Sequence, residues 1–219
     1  MITFKQIKEN EAINTYIKKA DESLIALGFT EHSFAHVCRV AEVAKNILTT
    51  LNFPERTAEL AQIAAYLHDI GNVVNRIEHA QTGAVMAFRI LDKLEMDADE
   101  IATIITAIGN HDEGTAQAVN PVAAALILGD KSDVRHTRVR NNDITTFDIH
   151  DRVNFAVRKS DLVINDDHTE ITLDLDINTE ICAVMDYFEI FLDRMILCRK
   201  AAERLELKFR LNINGQQLL

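Results

Sequence analysis

Six residues of two chemical kinds recur at comparable places along the chain. His36 lies one helical turn before Val40. His68 and Asp69 follow Leu67. His79 shares a helical face with Gly83, Met86 and Ile90. His111 follows Ile104 and Ile108 at spacings of seven and three. Asp130 follows Leu126 and Ile127 and precedes Val134. Each stands at the edge of an apolar face. Burying one such group without a partner costs on the order of a few kcal/mol, and more if it is charged. Taken singly, a histidine on an apolar face is more often a hydrogen-bonded core residue. Asp130 alone could pair with Lys131 or Arg135, and His111-Asp112-Glu113 alone could be a solvated turn. Taken together, the residues suggest groups that neutralise one another through a shared cation. Four histidines and two aspartates can supply two sites of nitrogen and oxygen ligands, suited to iron, manganese, zinc or similar metals.

The elements that must position these residues are mostly helical. Only two prolines and seven glycines punctuate the 219 residues. Apolar periodicity predicts helices over about 11–27, ended by Gly28, and 31–51, with Val37, Val40, Ala44, Ile47 and Leu51 on one face. Pro54 opens a third helix that runs to Ile70 and stops at Gly71. A fourth covers 77–94 and a fifth 97–109. A sixth runs from 120 to 136, with Asn120 as N-cap before Pro121. The polar segment 138–148 breaks the pattern. Beyond it, 153–158 and 169–176 alternate with period two and read as strands around a turn at 165–168. A long helix over 178–206 and a last strand over 208–213 follow. The expected fold is mainly α: a helical metal-binding domain over 1–140, and a small α+β extension over 141–219.

A net charge of −11 and a pI near 5.1 argue against nucleic-acid or membrane-surface binding. They leave room for a small anionic substrate, because a bound metal reverses the local field. Cys38, Cys182 and Cys198 are odd in number and widely spaced, as expected of reduced thiols. Cys38 reads as a core thiol. No apolar run is long enough to span a membrane. The N-terminus lacks the apolar stretch of a leader peptide. A cytoplasmic location is the expectation. No phosphate-binding glycine loop of the GxxxxGK[ST] type is present.

Tyr66-Leu67-His68-Asp69-Ile70-Gly71 resembles the signature of the HD superfamily of metal-dependent phosphohydrolases. That family has an upstream helical histidine, the His-Asp doublet and a distant aspartate. Here His36, His68, Asp69 and Asp130 match them in order, and the resemblance covers about residues 30–136. Members with two ions add two histidines between the doublet and the last aspartate, which His79 and His111 resemble. Gly83, one turn after His79, would let a metal or substrate approach that helix closely. Relatives active on cyclic dinucleotides carry a lysine where this chain has Asn72, and often a second histidine where it has Asp112. The resemblance therefore fits the metal site better than that substrate class.

The resemblance implies a helical HD bundle and one or two divalent ions (iron, manganese, zinc, nickel or magnesium). It also implies hydrolysis of a small phosphorylated substrate, a nucleotide among the candidates. Asp69 would bridge two ions, and water activated there would attack phosphorus. Lys131 and Arg135, one and five residues after Asp130, would be carried by one helix to the rim as phosphate contacts. Arg76 and Arg39 are weaker candidates. His32, four residues before His36, would share its helical face. Asp112 and Glu113 are candidate acceptors for His111 or a general base. His136, His150 and His168 read as surface residues. The same scaffold hosts di-iron oxygenases, and a metal-binding sensor is a third alternative. The stripe Ile181, Val184, Phe188, Phe191, Leu192 and Met195 packs on its own sheet, forms a homodimer face or covers the pocket as a lid.

Overall fold

A computed structural model describes residues 1–219. Nine helices carry most of the chain: α1 (Phe4–Lys8), α2 (Glu11–Ala26), α3 (Phe34–Thr50), α4 (Glu55–Leu67), α5 (His79–Lys93), α6 (Ala98–Gly109), α7 (Pro121–Lys131), α8 (Ile149–Ala156) and α9 (Val184–Arg204). Short polar side chains start several of them by accepting the first free N–H groups. Asn10 caps α2, Ser33 caps α3, Asp97 caps α6, and Asn120 caps α7 immediately before Pro121. Gly28, at φ +80°, follows the end of α2 in a conformation that glycine adopts without strain.

A four-stranded sheet lies at the C-terminal end: β1 (Val157–Ile164), β2 (Glu170–Ile177), β3 (Lys208–Ile213) and β4 (Gln216–Gln217), in that order. β1 and β2 form an antiparallel hairpin. β3 runs parallel to β2, and α9 makes the crossover between them. Along β2, Ile171, Leu173, Leu175 and Ile177 alternate into the core, as period two requires. The mainly α fold with a small sheet is as the sequence predicts. One apolar cluster of 54 buried residues runs from Ile7 to Ile213 and includes residues on both sides of position 140.

Several boundaries differ from expectation, α3 beginning at Phe34 rather than 31 among them, and two others shape the site. α4 stops at Leu67, three residues early, and a 3-10 turn over Ile70–Val73 follows. α7 stops at Lys131 rather than 136, where the Ser132 hydroxyl donates back to the Gly129 carbonyl. Residues 153–156 are helical rather than strand, because Asp148 caps a new helix through the Asp151 N–H. The alternation there was too short to distinguish a strand from one buried helical face. α9 begins at Val184 rather than 178, because the Asn178 carbonyl instead closes a turn with the N–H groups of Ile181 and Cys182.

Candidate metal centre

The six residues reach one place from five helices. His36 lies in the first turn of α3. His68 and Asp69 lie just past the end of α4. His79 opens α5, His111 lies just beyond α6, and Asp130 is the penultimate residue of α7. Most of this set is almost wholly buried, and Asp130, the most exposed, is only 9% accessible.

Every histidine is turned the same way. The Nδ1 atoms of His68, His79 and His111 face the backbone carbonyl three residues earlier: Ala65 at 2.7 Å, Arg76 at 3.0 Å and Ile108 at 2.6 Å. The Nδ1 of His36 faces the Asp133 carboxylate at 2.7 Å. A ring nitrogen facing an acceptor carries the proton, which leaves the Nε2 lone pair free to point inward. Nε2 of His36 and Nε2 of His68 are buried with no hydrogen-bond partner. Such orphaned acceptors in a closed site are what a ligated cation satisfies.

The inward atoms fall into two groups. In the first, Asp130 Oδ1 is 3.3 Å from His36 Nε2 and 3.7 Å from His68 Nε2. Asp69 Oδ2 is 3.7 and 3.1 Å from the same two nitrogens. In the second, His79 Nε2 and His111 Nε2 are 3.2 Å apart and lie 3.5 and 4.0 Å from Asp69 Oδ1. These are spacings at which ligands of one ion can sit, and two clusters, His36 with His68 and Asp130, and His68 with Asp69 and His111, could hold a metal. The two oxygens of Asp69 face different groups. The donor set has imidazoles and carboxylates and no sulfur, which fits iron, manganese or zinc.

Electrostatics keep the carboxylates ionised. Burial works against the charge on Asp69 and Asp130, yet both are held well below the usual carboxylate range. His68 does this for Asp69, and the Lys131 ammonium, 2.7 Å from Asp130 Oδ2, does it for Asp130. Burial, with the nearby Lys131 ammonium, pushes His111 down to about 3, which favours the neutral, ligating imidazole. Glu113 is partly buried, which works against its charge, but its ion pairs with Lys131 (3.2 Å) and Arg194 (2.6 Å) bring it down to about 2.

The remaining candidates divide. Lys131 lines the recess beside the two groups, as do His32 and Arg76. His32 is not helical: it precedes the Ser33 cap, and its Nδ1 faces the Thr30 carbonyl at 2.7 Å. Arg135 is not brought to the recess. Because α7 ends at Lys131, the spacing from Asp130 carries no helical phase. The Arg135 guanidinium instead pairs with Asp133 at 2.7 Å and Glu31 at 3.1 Å. Arg39 likewise pairs with Asp133, at 3.2 Å. Asp112 is not the acceptor for His111, a role taken by the Ile108 carbonyl, but its Oδ1 lies 3.9 Å from His79 Nε2. Gly83 also differs from expectation. A Cβ there would meet the His68 carbonyl at 3.1 Å and the Gly71 nitrogen at 3.3 Å, so the close approach is by backbone.

Sequence reasoning missed Asp133, Arg138 and Arg194. Asp133 orients His36, and Arg138 and Arg194 line the recess. Asp133 stands three residues after Asp130, and that spacing was its one available signal. Asn72 donates to both the carbonyl and Oδ1 of Asp69, each at 3.0 Å.

The family model described as HD domain matches residues 33–190. An uncharacterized protein of Methanocaldococcus jannaschii is 26% identical over 160 residues, which is 63% of this chain. The match spans 61% of that relative's length. The crystal structure of a predicted HD superfamily hydrolase from an uncultured Thermotogales bacterium is similar, with a TM-score of 0.46 and 23% identity. That match covers 61% of this chain and 75% of the other.

Proposed function

The chain belongs to the HD domain family, and on that premise we propose that it is a metal-dependent phosphohydrolase acting on a small phosphate ester. The observation that carries the reading is the convergence of four Nδ1-anchored histidines on the two oxygens of one buried carboxylate, Asp69. His36, His68, Asp69 and Asp130 would hold one divalent ion, and Asp69, His79 and His111 a second. Ions held there would lower the pKa of water and offset charge on the phosphoryl oxygens.

The side chains have distinct parts in hydrolysis. A water oxygen bonds to phosphorus, the ester P–O bond breaks, and the leaving alkoxide takes a proton to become an alcohol. Asp133 and the three carbonyls hold the histidines in their ligating tautomer. Lys131, clamped between Asp130 and Glu113, stays an ammonium and keeps both carboxylates ionised. Asp112 has no cation partner other than the His79 ring and is the nearest free carboxylate to take the water's proton. Guanidinium groups around the recess favour a phosphoryl substrate over a neutral one.

The test is metal analysis joined to a phosphatase and phosphodiesterase panel under Mn²⁺, Fe²⁺ and Mg²⁺. His68→Ala and Asp69→Ala are expected to lose metal and turnover while keeping the helical circular dichroism. His79→Ala is expected to reduce two ions per chain to one. Full activity in His68→Ala or Asp69→Ala would end the proposal, as would oxygen consumption without phosphate release.

A further inference from the structure

The recess at the metal centre has a volume of only about 20 Å³, room for little more than a water or an ion. A substrate body must lie elsewhere. A second cavity of about 360 Å³ adjoins it, within the roughly 300–1,000 Å³ of small-molecule sites. His32, Arg76, Arg138 and Arg194 line both spaces, so these four mark the junction. Three of the four are arginines, and each is anchored with donors to spare. Arg138 is 4% exposed. It donates from Nε to the Glu31 carbonyl and from Nη1 to the Asp133 carbonyl, and nothing takes its Nη2. Arg194, from α9, pairs with Glu113 (Nε to Oε1, 2.6 Å) and stacks on Phe191 with Cζ 4.4 Å from the ring centroid. Its two terminal nitrogens make no protein hydrogen bond. Arg76 uses only Nη1, on Asn72 and His79, at 3.3 Å each.

The rest of the larger cavity has a different chemistry. Of its 13 lining residues only three are hydrophobic. The start of α8 contributes its cap Asp148 and the first-turn Asp151, and neither pairs with a cation. Asp148 Oδ1 accepts the Asp151 N–H, and Asp151 Oδ2 accepts from Asn141 at 3.4 Å. One oxygen of each carboxylate is left for a donor in the cavity. Hydroxyl groups suit such acceptors, whereas an alkyl body offers them no donor.

We propose that this cavity binds a small hydroxylated phosphate ester, with Arg76, Arg138 and Arg194 gripping the phosphate and Asp148 and Asp151 taking the hydroxyls. Its role as a substrate site rests on the phosphohydrolase reading; binding itself does not. In this arrangement α9, outside the six-residue metal set, completes the site.

The test is calorimetric titration of the full chain in chelator, where no ester is turned over, with ribose 5-phosphate, n-pentyl phosphate and inorganic phosphate. Ribose 5-phosphate is expected to bind roughly tenfold tighter than pentyl phosphate, as two hydrogen bonds to charged acceptors allow. Asp151→Ala should cut that advantage to about threefold and leave pentyl phosphate unchanged. Arg194→Met should weaken both esters by roughly tenfold or more, with Mn²⁺ per chain unchanged, and Arg194→Lys should weaken them less. Equal binding of the two esters to the unaltered protein overturns the hydroxylated ligand. Undiminished ester binding in both Arg194 variants overturns the arginine cradle. Absence of turnover on every phosphate ester, with the binding pattern intact, sinks the phosphohydrolase reading and leaves the cavity assignment standing.

Discussion

At the scale of single residues, three histidines use one device and the fourth uses another. His68, His79 and His111 each send Nδ1–H to the carbonyl three positions back, so their orientation comes from local backbone. His36 depends on the Asp133 carboxylate, which also pairs with Arg39 and Arg135. Asp133→Asn keeps the shape but removes the charge that polarises the ring. Metal affinity at the His36 group is expected to fall by about 10–100-fold, the usual cost of losing such a partner, with helical content unchanged. Competition titration with a chromophoric chelator would read this, and unaltered affinity would show that Asp133 serves only packing. The six principal residues were legible in the sequence because a histidine or aspartate at the edge of an apolar face needs a reason to be there. Asp133, Arg138 and Arg194 gave no such signal. A polar residue after a helix end, or on a long C-terminal helix, looks like ordinary surface until the fold closes over it.

At the scale of elements, the site depends on where two helices stop. α4 ends at Leu67, so His68 and Asp69 lie where the helix gives way to a 3-10 turn, and that turn lies against α5. The two segments touch backbone to backbone: a Cβ on Gly71 would lie 2.0 Å from the His79 carbonyl and 2.6 Å from the Gly83 nitrogen. Gly71→Ala therefore forces the doublet away from His79. Because the obstacle is main chain rather than a flexible side chain, the expected loss is about 3 kcal/mol, at the upper end for overpacking. It should appear as a lower urea midpoint at constant slope. A midpoint within error of the unaltered protein would mean that the turn can move freely. Sequence pattern located the helices well but placed the ends of α4 and α7 three and five residues late. Apolar residues continue through Ile70 and Val134, and periodicity cannot see that the chain has left the helix while still entering the core. The Arg135 assignment failed for that reason.

At the scale of the whole molecule, the metal groups and the C-terminal segment share one core. Candidate ligands from five helices meet in one pocket, so an ion that binds only the folded chain would stabilise all of it. At a hundredfold excess over Kd the gain is about 2.7 kcal/mol, or roughly 5–10 °C in Tm for a chain of this size. Chelation should lower Tm by that amount and Mn²⁺ should restore it. An unchanged Tm would mean that no ion is held tightly. The polar break near 140 suggested that the helical part ends there, yet α7 buries its apolar side against α9. Phe191, Met195, Cys198 and Ala202 on α9 are at most 2% exposed and belong to the same cluster as Val40, Ile63 and Leu128. Removing residues 141–219 would bare that face and leave Glu113 without Arg194. Fragment 1–140 is therefore expected to lack a cooperative thermal transition and to aggregate, whereas the full chain melts in one step. Past Arg138, the break over 139–148 is polar because it crosses the surface, and what lies beyond it returns to the same interior. A fragment that melted cooperatively and held its metal would make the C-terminal segment an appendage, and would leave Arg194 as its one link to the chemistry.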